Sequence, residues 1–162
     1  MPASAHRHYR PLGSGPAPLT PGGYLRRRRE AADITIDELA LAIASGSGHL
    51  VSWDERSALA RRISLLEADS AGPDVDMPFI LAIGAHVRLD EQVYLGLVGY
   101  AAAPNAGLLI PDHCRGCGCS HYDPCIDGVY PCAWSDGSKT ICTACEGPTQ
   151  PAIAAPAPAI AA

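Results

Sequence analysis

The chain has 162 residues, is 48% hydrophobic but only 6% aromatic, and carries a formal net charge of −5. That length suits one ordinary domain or two small ones with a modest core, and the absence of any run of about 18 apolar residues excludes a membrane-spanning helix. The N-terminal stretch MPASAHRHYRPLGSGPAPLTPGG has no continuous apolar core of the kind a secretory signal needs, so the expected location is the cytoplasm.

Residues 1–19 read as a disordered arm of Pro, Gly, Ala and His. Thr20-Pro21 then opens a first helix, because proline suits the first helical turn, and Tyr24 and Leu25 are its core contacts. Thr35-Ile36-Asp37-Glu38 is a capping box that starts a second helix, with Ile36, Leu39, Ala40 and Ile43 on one face. SGSGH (Ser45 to His49) interrupts the chain. Ser52-Trp53-Asp54-Glu55 is a second capping box, starting a long helix to about Ala68 with Leu59, Ile63 and Leu66 on one side; Gly72-Pro73 is its stop. Asp76 caps a fourth helix and Asp90 a fifth. No strand signal is present before residue 105. The expected fold is mostly α: a five-helix bundle of helix-turn-helix type over residues 20–104, followed by a small irregular cysteine-rich module over 111–147 and a disordered Ala/Pro tail over 148–162.

All seven cysteines lie between Cys114 and Cys145. Cys114 and Cys117 form one Cys-x-x-Cys and Cys142 and Cys145 another, with 24 residues between them. Two such knuckles can close a tetrahedron of thiolates around one ion, and zinc is the expected occupant. The loop between them is rich in Gly, Pro, Asp and Ser and too short to bury much, so a bound metal would supply its folding energy. A reducing compartment disfavours disulfides, and seven is an odd number. Cys119, Cys125 and Cys132 remain. With His121 or His113 they can make a second site, or bridging thiolates can hold two ions in one cluster; an iron–sulfur cluster is the redox alternative. The two histidines are expected on the rim rather than as ligands, and Trp134 as an apolar plug. Four cysteines around one zinc leave no open position for a substrate, the deaminase signature is absent, and no nucleophile–base set or phosphate-cradling loop occurs. The expectation is that the chain is not an enzyme.

Two resemblances add to this reading. GGYLRRRREAADITIDELALAI resembles the opening of an Xre/Cro-type phage repressor domain, and ISLLEADSAGPDVDMPFILAIGAHVRLDE is similar to the end of its third helix and its fourth helix. Glu67 falls where that family carries the glutamate closing its recognition helix, and Pro73 at its proline before helix four. The resemblance covers about residues 20–100 and implies a DNA-binding transcriptional regulator. It is interrupted by about a dozen extra residues, SGSGHLVSWDERS. The segment CRGCGCS…CAW…CTAC resembles a cysteine-rich module of small phage and prophage proteins, which implies a mobile-element setting.

Charge distribution bears on the expected partner, double-stranded DNA. Residues 1–30 carry six arginines against one glutamate, and eleven of the twelve basic residues are arginine, the side chain suited to bidentate phosphate and guanine contacts. Arg26 to Arg29 span about 300° of a helix at ~100° per residue, so they cannot all face one partner. Arg26 and Arg27 are the phosphate candidates. Arg56, Arg61 and Arg62 of the third helix are the candidates for base or phosphate contact. The alternative is a non-enzymatic adaptor, with the acidic residues Asp112, Asp123, Asp127, Asp136 and Glu146 turning the cysteine module toward a protein partner. A homodimer is compatible with either reading.

Overall fold

Side-chain caps set the start of each helix in the structure, a computed structural model that describes residues 9–10, 17–46, 50–71, 75–104, 106–127, 129–135, 137 and 139–146. Five helices follow in order: α1 (Pro21–Ala31), α2 (Ile36–Ser45), α3 (Trp53–Glu67), α4 (Met77–Gly84) and α5 (Glu91–Ala102). Thr20 accepts from the amide of Gly23, Thr35 from Glu38, Ser52 from Glu55, Asp76 from Phe79, and Asp90 from Gln92 and Val93. At α2 the box is reciprocal, because the Glu38 carboxylate also accepts from the Thr35 amide at 2.8 Å. The capped starts read from the sequence coincide with these. The helix stop at Gly72-Pro73, most of the N-terminal arm and the tail lie outside the described residues. No helix among the described residues is long and apolar enough to cross a membrane.

The apolar faces converge on one core. Tyr24 and Leu25 come from α1, Leu39 and Ala40 from α2, Ile63 from α3, Phe79, Ile80 and Ile83 from α4, and Val93, Tyr94 and Leu97 from α5. Burying a large aliphatic side chain is worth about 1.5–3 kcal/mol, against about 1 kcal/mol for a cap. The caps therefore decide where helices begin, and Leu39, Ile63, Ile80 and Leu97 decide that they stay together. α2 ends at Ser45 and α3 begins at Trp53, so Trp53 to Ser57 of the extra segment belong to the first turn of α3.

Three observations go beyond the sequence reading. A two-residue strand, β1 (Tyr9–Arg10), pairs antiparallel with β2 (Ile110–Pro111), Tyr9 opposite Pro111. The expectation of no strand before residue 105 missed β1, because so short a strand exists only through a partner a hundred residues away and carries no local periodicity. Ile110 of β2 also enters the bundle core, so the chain that leaves α5 returns to it. Finally, β3 (Ile126–Asp127) and β4 (Tyr130–Pro131) form a small hairpin inside the cysteine segment.

Candidate metal centre

The cysteine segment has almost no hydrocarbon core of its own. Its buried apolar cluster is made of Cys114, Cys117, Cys119 and Cys142, against which Cys125, Cys132, Cys145 and Trp134 pack. Two tight turns aim the sulfurs inward. In the first, Cys114 donates its amide to the Cys119 carbonyl at 2.7 Å and Gly118 donates to the Cys114 carbonyl at 2.8 Å. In the second, Cys145 and Glu146 both donate to the Cys142 carbonyl. Arg115 donates to the Thr140 carbonyl at 2.9 Å, tying the turns together, and Trp134 bridges to Cys142.

Glycine is required at this first turn for two reasons. Gly118 has φ +76° and lies against Tyr24 and the Arg28 side chain, so a side chain there would be strained and would collide. A Cβ on Gly116 would lie 2.8 Å from the Cys145 sulfur, so any larger residue would push one knuckle off the other.

All seven cysteines are free thiols, and six of their sulfurs fall into two overlapping groups of four. Cys114, Cys117, Cys142 and Cys145, the paired knuckles of the sequence reading, lie within 4.8 Å of one another, and so do Cys117, Cys119, Cys125 and Cys142. The second group keeps Cys119 and Cys125 from the residues expected there, but it is completed by Cys117 and Cys142 rather than by Cys132 and His121. Individual separations are 3.7 Å for Cys117–Cys142, 3.7 Å for Cys125–Cys142 and 3.9 Å for Cys117–Cys125. Metal–sulfur bonds of about 2.3 Å in a tetrahedron place sulfurs about 3.8 Å apart, so these clustered cysteines can hold a metal ion.

Without a cation the sulfurs cannot all ionise at such range. Hydrogen bonds from the Cys117 and Cys119 thiols hold Cys114 far below the usual thiol range, and the Cys142 amide also points at its sulfur, at 3.4 Å. Hydrogen bonding to Cys114 pushes Cys117 and Cys119 up, and burial raises Cys125 and Cys145. One sulfur is thus favoured as thiolate by neighbours that keep their protons, a proton arrangement that a bound cation would replace.

The remaining sequence candidates are spread out. Cys132 lies 3.5 Å from Cys119, on a cavity of about 310 Å³ that His121 and Trp134 also line. His121 is exposed; His113 is not on the rim but buried, edge-on to Tyr24 with its Nδ1 2.9 Å from the Pro111 carbonyl oxygen. Arg26 and Arg27 are half exposed, Arg26 3.7 Å from Glu67 and Arg27 3.2 Å from Glu30. Arg62 pairs with Asp76 and covers the Phe79 ring. Arg56 and the exposed Arg61 make no ion pair among the described residues.

The other two arginines of the run are structural, which the sequence reading missed. Arg29 makes a two-pronged contact to the buried Glu67, at 2.7 and 2.8 Å, closing α3 onto α1. Arg28, only 3% exposed, points into the seam between bundle and module. It donates to the carbonyls of Arg88 and Cys117 and to the Asp123 carboxylate at 2.6 Å, where Arg88 also pairs. Beside it the Ser120 hydroxyl donates to Asp90 Oδ2 at 2.6 Å, and the Asp90 amide donates to the Tyr24 hydroxyl at 3.0 Å. Asp123 therefore serves an internal contact, and Asp112 lies 3.9 Å from Lys139; neither is a spare charge for a protein partner. The one available hint was that four arginines cannot share a helix face. Comparison with protein-family models, curated proteins and solved structures finds no match for this chain.

Proposed function

We propose that this chain is a non-enzymatic DNA-binding regulator of phage or prophage type, working in the cytoplasm, in which the cysteine module is a zinc-bearing brace and α3 meets the duplex. Zinc suits an all-thiolate, four-coordinate donor set with no open position. The observation that carries the DNA reading is the outward face of α3. Ala58, Arg61 and Ser64 are exposed there, small residues around an arginine with no ion pair among the described residues. Small side chains allow close approach, and a free guanidinium can take guanine or phosphate. Arg56 on the same helix, and Arg26 and Arg27 of α1, supply phosphate contacts: Arg26 is half exposed and only 3.7 Å from Glu67, and the exposed pairing of Arg27 with Glu30 is weak and screened by salt. Arg62 is the least available of the five, held by Asp76 and Phe79.

Selection over random duplexes at moderate salt tests this, using the full chain. An enriched motif is expected. Arg61→Ala should relax preference at one base position, and Arg26→Ala should weaken all sequences alike, flattening the salt dependence by about 0.9 log unit per log unit of salt for each phosphate no longer neutralised. A second reading, an adaptor protein, has one observation in its favour: Leu50, just before α3, and Trp53, its first residue, are 98% and 71% exposed, an apolar pair that suits a protein surface. Recovery of no motif, with Arg61→Ala indistinguishable from the parent, would select that reading.

A further inference from the structure

The geometry points to a binuclear metal–thiolate cluster in which Cys117 and Cys142 bridge two ions; this rests on the metal-binding reading and extends it from one ion to two. The two groups of four sulfurs share two members. Two isolated all-sulfur tetrahedra would need eight different cysteines, and the chain has seven. Two four-coordinate ions make eight bonds, and six cysteines supply them if two sulfurs bind twice. Cys114 and Cys145 are then terminal on the first ion and Cys119 and Cys125 terminal on the second. Cys117 and Cys142, 3.7 Å apart, form the shared edge.

The fold agrees with this division of roles. The bridging pair comes from the two different knuckles, so each ion ties both turns together. Cys119, two residues beyond Cys117, reaches the far side because Gly118 reverses the chain with positive φ. The sulfurs sit at the separation of ligands on one shared ion; a four-iron cluster places each cysteine on its own iron and needs them further apart. Loading is balanced: six cysteine sulfurs, all as thiolates, and two divalent cations give one cluster of charge −2, each sulfur still protonated releasing its proton to solvent. The Cys142 amide, directed at the Cys114 sulfur, lies where that negative charge would be. Cys132 is left as the seventh thiol. At 3.5 Å from Cys119 it donates to that thiolate instead of binding metal.

The test is metal stoichiometry and cadmium-113 NMR on the full chain. Zinc at two equivalents is expected, and cadmium exchange should give two resonances in the all-sulfur range, split by coupling through the shared thiolates. Cys132→Ser should keep both ions, and Cys125→Ser should keep one all-sulfur ion and lose the coupling. One equivalent in the parent chain would overturn the cluster while leaving a single-zinc module. Two uncoupled resonances would overturn the bridging, and loss of an ion from Cys132→Ser would overturn the ligand assignment. A metal-free or iron-loaded protein would overturn both this proposal and the zinc reading.

Discussion

In the bundle, order is distributed: five caps, each local to its helix, and a core to which every helix contributes a buried side chain. In the cysteine module, order is concentrated in seven sulfurs and a few backbone bonds between turns. The bundle behaves as a small helical domain does, in which removing one interaction costs a fraction of the total. The module has no comparable reserve, since thiols packed together do not replace an apolar core. The two meet at a polar seam of Tyr24, Arg28, Asp90, Ser120 and Asp123, so the boundary near residue 105 is one of sequence and not of packing.

Removing metal should break this comparison most visibly. A chelator, or Cys142→Ser, is expected to abolish hydrogen-exchange protection over residues 112–146 while the far-UV helical signal largely persists. The seam sharpens the expectation: the bundle's melting temperature should also fall, because Arg28 loses Asp123 and the Cys117 carbonyl together. A module that keeps its protection without metal would remove the contrast between the regions.

Arg28→Ala comes next. It strips the part-buried Asp123 carboxylate of one of its two cationic partners; breaking a fully buried pair costs about 3–5 kcal/mol, and the partial exposure of Asp123 together with Arg88 holds the effect toward the lower end. Urea denaturation should show the destabilisation, and exchange should show bundle and module loosening together. Loosening in only one region would mean that the seam is not a shared element.

Thr35→Ala should act on the bundle alone, at about 1 kcal/mol, because it removes the capping box of α2 and touches nothing in the module. The smallest effect is a pH dependence confined to the bundle. Hydrogen bonding from Thr35 holds the Glu38 carboxyl below its ordinary value, and Arg62 does the same for Asp76. A depressed carboxylate stabilises the fold above its unfolded-state pKa, near 4, and that contribution is lost as pH falls through the lower folded-state value. Melting temperature should therefore decline in that acid window, with a shallower slope in Glu38→Gln and Asp76→Asn. In the metal-loaded protein the module should fail at low pH by a different route, as protons displace the cation from the thiolates.

Much of this molecule was legible in the chain itself. Helix starts were readable because a cap is a local bond across two or three residues, and Thr20, Thr35, Ser52, Asp76 and Asp90 announce it in sequence. The four cysteines of the paired knuckles were readable for the same reason: the spacing within each Cys-x-x-Cys constrains where two sulfurs can point. What only the tertiary structure decided was every assignment depending on residues far apart. Four identical neighbours, Arg26 to Arg29, face different surroundings, because a helix turns each in a new direction, and Asp123 lies 95 residues away from Arg28. Cys117 and Cys142 differ from the other cysteines only by standing in both groups of sulfurs, a property of distances across 25 residues. Local chemistry is written in short spacings, whereas sharing a ligand or a counter-ion is a fact of packing, and packing is settled only when the whole chain has folded.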